Sequence, residues 1–379
     1  MKTLKKIIGI VLTVSLVITS LAACKGTDDT EKTPESETPE TITVIDHLGH
    51  EVEVPKDIDR IVIGKIYPLA SVVSIFFDSA EKIVGMPMQC MTAAKNSLLS
   101  ELYPEILDAE TNYIDGANLN IESLLLLEPD VMLYNAADDA TMGQMLRDAG
   151  IPAVAISVNK WHYDAIETLE NWIDLLSQMF PENNKAQLVT DYSNKVYDRV
   201  RERVDGLSDE EKKDVFFLYQ YTENMIATSG NHFFGQWWAD AVNAHNVGEE
   251  IEKDNSVNVN MEQIYKWNPE CILITNFTTA TPDSLYSNAI GTNDWSNVKA
   301  VENKSVYKMP LGMYRSYTCG VDTPVTLLWI AKTVYPELFE DVDITTETKN
   351  YYKDVFGIEL TDKQAEGIFA PTANASAYQ

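Results

Sequence analysis

Residues 120–133, NIESLLLLEPDVML, and residues 260–273, NMEQIYKWNPECIL, decide how this chain is read. In each, an Asn is followed two positions later by a Glu, then by an apolar helical run, a Pro with an acid after it, and a short apolar stretch. Glu122 and Glu262, Pro129 and Pro269, and Asp130 and Glu270 all stand at one constant offset of 140 positions. Asn is a favoured N-cap, which puts Glu122 and Glu262 in the first helical turn, where free N–H groups and the macrodipole favour an anion. Taken singly, each glutamate stabilises a helix end by about 0.3–1 kcal/mol and does nothing else. As a pair at matching places on two similar halves, they present two carboxylates to a two-fold partner bearing two matching bases.

Outward from the repeat, the text alternates between apolar strands and amphipathic helices. IVIG (61–64) reads as a buried strand, SVVSIFFDSAEKIVGM (71–86) as a helix and a second strand, and VMLY (131–134) as a third. MGQMLRDAG (142–150) makes a helix ended by Gly150, and IPAVAISV (151–158) makes a fourth strand. Ahead of them, TITVIDHLGHEVEVP (41–55) alternates around a His-Leu-Gly-His turn and reads as a hairpin. The series restarts with VFFLYQ (215–220), a helix through FFGQWWADAV (233–242), the second repeat, CILITN (271–276) and SVYKM (305–309). A last helix, capped by Thr323 and Pro324, runs through TLLWIAKTVY until Pro336 stops it. Continuous apolar strands separated by helices are the pattern of parallel sheets covered on both faces, so the chain is α/β with two lobes.

Between the two series, residues 182–205 contain no Pro or Gly. Ala186, Val189, Tyr192, Val196, Val200 and Val204 recur there at steps of three and four, which predicts one long amphipathic helix of about 36 Å, closed by Gly206.

With 379 residues, the chain exceeds the size at which a single core stops growing, and its 45% hydrophobic and 23% charged composition is that of an ordinary globular protein. The net charge of −29 argues against nucleic acid as a partner. Lys2, Lys5 and Lys6, the apolar run IIGIVLTVSLVITSLAA and the small residues before Cys24 form an export signal. The stretch KGTDDTEKTPESETPE that follows is too polar to order itself and reads as a tether. Beyond Cys24 there are three cysteines, so no disulfide framework holds the fold. Cys271 reads as a buried small hydrophobe, and whether Cys90 and Cys319 pair is left open.

In open α/β sheets ligands bind beyond the carboxyl ends of the strands. Those loops, with HFFGQWW and PLGMYRSY, supply Lys65, Tyr67, Met88, Tyr219, Tyr221, His232, Trp237, Tyr314, Arg315 and Tyr317 as candidate ligand-binding residues. Aromatics and methionines grip a large flat or greasy ligand, and Lys65 and Arg315 can meet its anionic groups. Arg315 leads the set because arginine is seldom buried unpaired. His47 and His50 read as solvated residues of the hairpin turn rather than metal ligands, and His162 and His232 fall in loops where either could reach a bound ligand. The set implies no cofactor and no dedicated metal site. No GxxxxGK, GxGxxG, HExxH or GxSxG motif is present, so the usual enzyme sites lack their markers. An acid pair could still cleave glycosides, but glutamates at helix starts that precede strands lie away from the strand ends where a substrate binds.

The hairpin TVIDHLGHEVEVP, the strand IVIG, the phrase EKIVGM, the two repeated segments and WIAK followed by YPELF together resemble the binding proteins of ABC importers for ferric siderophores, haem and cobalamin. The resemblance covers residues 42–367. It implies two Rossmann-like lobes with mostly parallel sheets, joined by one long helix, with the ligand cleft between them. In such a protein one glutamate per lobe, here Glu122 and Glu262, docks onto arginines of a dimeric permease that works with an ATPase. LAAC resembles a lipobox, so Cys24 becomes the lipidated first residue that anchors the mature chain to the outer face of the cell membrane. The implied organisation is a signal peptide at 1–23, a tether at 24–41, an N-terminal lobe at 42–181, an interlobe helix at 182–206 and a C-terminal lobe at 207–379. The expected protein is a monomer that captures an iron chelate, a ferric siderophore, with haem or cobalamin as alternatives.

Overall fold

The computed structural model describes residues 40–115 and 118–376, so the leader, Cys24 and most of the tether lie outside the described residues. Two four-stranded parallel sheets carry the fold. The first contains β1 (Ile61–Ile63), β2 (Ile83–Gly85), β3 (Val131–Asn135) and β4 (Ala153–Ile156), in the order β2-β1-β3-β4. The second contains β5 (Asp214–Leu218), β6 (His245–Asn246), β7 (Cys271–Ile274) and β8 (Val306–Lys308), in the order β6-β5-β7-β8. Each series therefore winds 2-1-3-4, with its reversal of direction between its first and third strands.

The strands are apolar throughout because both faces of each sheet are covered. Alternate residues point to opposite faces. In the first sheet Ile61, Ile63, Val131, Leu133, Val154 and Ile156 enter one core, whereas Val62, Met132, Tyr134, Ala153 and Ala155 enter another. The second sheet repeats the division, with Val215, Phe217, Cys271 and Leu273 in the first core and Phe216, Leu218, Ile272 and Ile274 in a core of their own. The inner faces of the two lobes thus share one continuous hydrophobic core, and each outer face has a private one.

That shared core is centred on α5 (Ala186–Val204), which packs between α4 (Ala165–Met179) and α8 (Thr323–Val334). Val189, Ser193, Val196, Val200 and Val204 form its buried stripe. Its 19 residues span about 28 Å, and it starts four positions later than the periodicity predicts. Pro181–Asn183 forms a separate 3₁₀ turn, and the Asn184 side chain accepts a hydrogen bond from the Ala186 N–H at 3.1 Å, which begins the helix afresh. Arg199 and Arg203 then tie α5 to the C-terminal segments through Glu347 and Asp341, each at 2.6 Å.

Smaller departures have local causes. The helix of the first repeat, α3 (Ile121–Leu125), ends well before Pro129, with Leu126 as its C-cap, and Glu128 ahead of the proline adopts a left-handed conformation with φ 45°. The start of the segment 142–150 is a π turn, with the α-helix confined to Gln144–Asp148. At α8 the N-cap is Asp322 and not Thr323; the Asp322 carboxylate does not cap the helix, because it accepts from the Met313 N–H and the Tyr352 hydroxyl instead. Cys90, Cys271 and Cys319 are all free and buried, so Cys90 and Cys319 do not pair.

Candidate functional site

The repeat reappears in atomic detail on the two lobes. The Asn120 side chain accepts from the Ser123 N–H at 3.0 Å in α3, and Asn260 accepts from the Gln263 N–H at 2.9 Å in α7 (Met261–Trp267). Glu122 and Glu262 follow as exposed second helical residues, and Leu124 and Ile264 are fully buried. Glu128 and Asn268 stand at matching positions with positive φ, 45° and 46°; Asn268 is the left-handed C-cap of α7, whereas α3 has already ended at its right-handed cap, Leu126. Asp130 then accepts from the N–H groups of Asp59 and Arg60 at 2.8 and 2.9 Å, and Glu270 accepts from the Asp214 N–H at 3.4 Å, so each acid pins its helix to the strand beside it.

The other ends of the sheets differ from each other. Where the first sheet reverses, the loops after β1 and β3 bring Lys65 and Asp138 together as an ion pair at 2.9 Å, and the Asn135 amide donates to the Lys65 carbonyl. Where the second reverses, the loops after β5 and β7 bring the rings of Tyr219 and Phe277 to 5.2 Å, and the Thr275 hydroxyl donates to the Tyr219 carbonyl at 2.6 Å. Such reversals open a crevice between strand ends, which is where α/β folds bind ligands.

Arg315 packs at the second of these ends. Its guanidinium carbon stands 5.0 Å from the Phe277 ring centre and 5.9 Å from that of Tyr314, and the residue is 1% exposed. Its charge reaches Cys90 of the first lobe, whose thiol is pushed up by burial, and Lys308 of the second. Lys308 donates to the carbonyls of Thr275, Thr278 and Ala280, and burial, with the Arg315 charge added, pulls its pKa down to about 7. The segment carrying Arg315 spans both lobes: the Leu98 N–H donates to the Gly312 carbonyl at 3.0 Å. Asp322 holds this segment from behind, accepting from the Met313 N–H at 2.7 Å and the Tyr352 hydroxyl at 2.5 Å. Only glycine fits at position 312, where a Cβ would stand 2.4 Å from the Asp322 carboxylate. Burial raises the Asp322 pKa to about 6.

Residues 92–311 match the periplasmic binding protein family. The chain belongs to that family. It is a solute-binding protein of an ABC transporter that acts outside the cytoplasm with a permease and an ATPase, and it is not an enzyme. A periplasmic solute-binding protein from Veillonella parvula superposes with a TM-score of 0.78 at 27% identity, covering 88% of this chain and 98% of that one. The molybdate-binding protein MolA of Haemophilus influenzae is 24% identical, covering 83% of this chain and 90% of its own. MolA's structure with molybdate bound superposes with a TM-score of 0.70, covering 84% of this chain and 99% of that one. The structure of Helicobacter pylori CeuE with Ni(II) bound superposes at 0.65 with 23% identity, covering 86% of this chain and 99% of that one.

Linked to Tyr219 through the Phe233 ring, 5.7 Å away, the binding protein has a cleft of about 620 Å³, lined by Trp161, His162, Tyr163, His232, Phe233 and Trp237 together with Asp164, Glu167, Asp240 and Asp254. The Tyr163 ring packs edge-on against Phe233 and Phe234, and its hydroxyl donates to the Asp254 carbonyl at 3.0 Å. His162 and Tyr163 both adopt positive φ, 52° and 62°, a conformation that non-glycine residues rarely hold in succession. A second hollow, of about 660 Å³ beside His50 and Arg147, lies at the start of β4 and so away from the strand ends that face the crevice.

The sequence-predicted residues divide accordingly. Tyr219 and Arg315 both meet the Phe277 ring, Arg315 also lies near the Tyr314 ring, and the Tyr67 carbonyl accepts from the Cys90 thiol; Lys65 is occupied by Asp138, and Met88 is exposed on the helix Met88–Ala94. His232 and Trp237 line the adjoining cleft. Tyr317 is fully buried beneath the aromatic cluster, where its hydroxyl accepts from the Gly235 N–H. Tyr221 is not at the crevice: it belongs to the private core of the second lobe, donating to the Ile290 carbonyl and accepting from Trp295. His47 is no solvated turn residue, since its Nδ1 accepts from the Ser157 N–H at 3.0 Å and its ring meets Trp161 edge-on. Sequence reasoning missed Asp138, Tyr163, Phe277 and Asp322. Phe277 was legible as the aromatic of the NFTT loop after a predicted strand, whereas Asp322 reads as a helix cap until its partners are known. Among the described residues no cluster of three or more His, Cys, Asp or Glu side chains could hold a metal ion.

Proposed function

We propose that this binding protein encloses a compact, metal-containing anion in the crevice between its lobes, with Arg315 as the anchoring charge, and delivers it to the permease through Glu122 and Glu262. In this reading the lipidated Cys24 of the LAAC motif keeps the protein at the outer face of the membrane. The observation that carries the ligand assignment is the buried guanidinium of Arg315 above Phe277, at the strand-end reversal of the second lobe and within electrostatic reach of Cys90 in the first. An oxyanion placed there meets a planar set of donors in a low-dielectric site, where charge-assisted hydrogen bonds are strongest. Arg315 and its chain neighbours Met313, Tyr314 and Tyr317 are all buried, which favours a small ligand, and the relative MolA binds molybdate.

An iron chelate, or haem or cobalamin, is the second reading, favoured by the adjoining cleft. Its volume falls in the range of drug-sized ligands, and Trp161, Trp237, His162 and His232 offer stacking faces and nitrogen donors. Its acidic lining opposes an anionic chelate, which is why this reading ranks second. Calorimetric titration with molybdate, ferric citrate, a ferric catecholate, hemin and cobalamin separates the two. The first reading expects tight binding of molybdate or ferric citrate, weakened about 100-fold by Arg315→Gln. Binding of the larger ligands only, untouched by Arg315→Gln and lost with His232→Ala, transfers the function to the second. Binding of none of the five overturns both.

A further inference from the structure

The two repeated helices agree in more than their glutamates. Position by position, residues 120–128 and 260–268 share one sequence of exposed, half-buried and buried states, so the same side-chain slots face outward on both lobes. One turn beyond each glutamate the matching slot holds a large apolar side chain that remains exposed: Leu125, at 46%, on α3 and Tyr265, at 42%, on α7. Residues three apart on a helix are surface neighbours, so each acid has an apolar companion. Leu126, at 83% the most exposed large apolar residue among those described, extends the patch on the first lobe, where the second has Lys266.

We infer that Leu125 and Tyr265, with Leu126 beside the first, are the apolar half of the contact with the two permease subunits. The inference rests on the docking role of Glu122 and Glu262 proposed above. Folding alone does not account for an exposed Leu and an exposed Tyr in matching slots, because neither is needed to fill a core and Leu124 and Ile264 already seal their helices. The occupant is fixed by the same two-fold logic as the acids: a partner with two equivalent faces meets one acidic and one apolar side chain from each lobe. Charge selects and orients such a partner, and apolar side chains shielded from water at the centre of the contact supply much of its lifetime. Leu126 opposite Lys266 makes the first lobe's contact the more apolar of the two.

The test measures binding of the full-length protein to its purified permease–ATPase complex in nanodiscs, at low and at high salt. Leu125→Ser with Tyr265→Ser is expected to weaken binding at least tenfold at both salt concentrations, with unchanged melting and unchanged ligand titration. Tyr265→Phe, which keeps the ring and loses the hydroxyl that donates to the Asp294 carbonyl, is expected to bind normally. Leu188→Ser, at an equally exposed leucine on α5, serves as the control and is expected to change nothing. Glu122→Lys with Glu262→Lys is measured alongside and is expected to abolish binding. If the charge reversals abolish binding and the serine pair binds like the native protein, the apolar contact is overturned and the docking glutamates stand. Native binding by both pairs overturns the docking role as well. Equal loss at Leu188→Ser, or loss with Tyr265→Phe, also overturns the apolar contact.

Discussion

The two lobes are alike where they face outward and unlike where they face each other. On the outside, α3 and α7 share their N-cap, acid and buried anchor at one offset, and the matching residues Glu128 and Asn268 have φ values one degree apart. On the inside, the equivalent reversal points hold an ion pair, Lys65 with Asp138, in one lobe and a ring pair, Tyr219 with Phe277, in the other. The difference teaches what each surface answers to. Under the proposed docking role a partner with two equivalent faces rewards repetition on the outside, whereas a ligand held between the lobes does not require the two inner ends to match. The shared inner core around α5 lets both be met, since each outer face is packed in its own private cluster and can keep its form without constraining the inner ends.

The most forceful way to strain this comparison is to empty the matched anchors. Leu124 sits in the private core of the first lobe and Ile264 in that of the second, both fully buried. Truncation to alanine removes similar volumes from similar sites, so each variant is expected to lose about 3 kcal/mol of stability in denaturant unfolding, with the two losses within about 1 kcal/mol of each other. Losses that differ by more than about 2 kcal/mol would mean that the repeat is one of shape and not of energetics.

A second prediction exploits a feature that only the first lobe has. The hairpin turn covers the edge strand β4: the His47 N–H donates to the Ala155 carbonyl, Asp46 accepts from the Ala155 N–H, and His47 Nδ1 accepts from the Ser157 N–H. Burial holds the His47 pKa down at about 4, against an ordinary 6.5. Between those values the unfolded chain binds the proton and the folded chain does not. The stability tied to neutral His47 is therefore complete above pH 6.5 and is lost as the pH falls toward 4, to a total of about 3 kcal/mol. Asp322, raised to about 6 by burial, works in the opposite direction, costing stability as the pH rises from about 4 to 6. Comparing the native protein with His47→Gln cancels the Asp322 contribution. The native advantage at pH 7 should shrink by about 3 kcal/mol at pH 4, and an advantage that does not change with pH removes the acceptor role assigned to Nδ1.

Much of this organisation was legible in the sequence because it follows from short-range periodicity. Strands such as VMLY and CILI announce themselves as continuous apolar runs, and Asn120 and Asn260 as caps, through interactions that span three or four residues. The bridging helix was legible in type but not in extent, since Asn184 restarts the chain through a single side-chain hydrogen bond that leaves no periodic trace. The crevice was only half legible. Arg315 and Tyr219 follow from the strand-end rule, but Tyr221, two residues beyond Tyr219, looks equally suited and is drawn into the opposite core by Trp295 and Ile290. Tyr221 stands in a separate short strand, Gln220–Thr222, paired antiparallel with Met225–Ser229, so the alternation of β5 cannot be carried forward to it. Asp138 and Asp322 were missed for a related reason: each is placed by a partner 73 or 30 positions away, Lys65 or Tyr352.

The gentlest test concerns the caps themselves. Replacing Asn120 or Asn260 by Ala removes one side-chain acceptor from a first-turn N–H and leaves every buried apolar contact in place. Each replacement should cost about 1 kcal/mol, and the double replacement about twice that, because caps on separate lobes with separate cores have no shared partner through which to couple. The measurement is a pair of denaturant midpoints against their double variant. Equal and additive losses mean that the outer halves are independent copies of one unit, held in place by local chemistry. A double variant that loses much more than the sum would show that the two helix ends sense each other through α5, and the private outer cores would then have to be treated as one body.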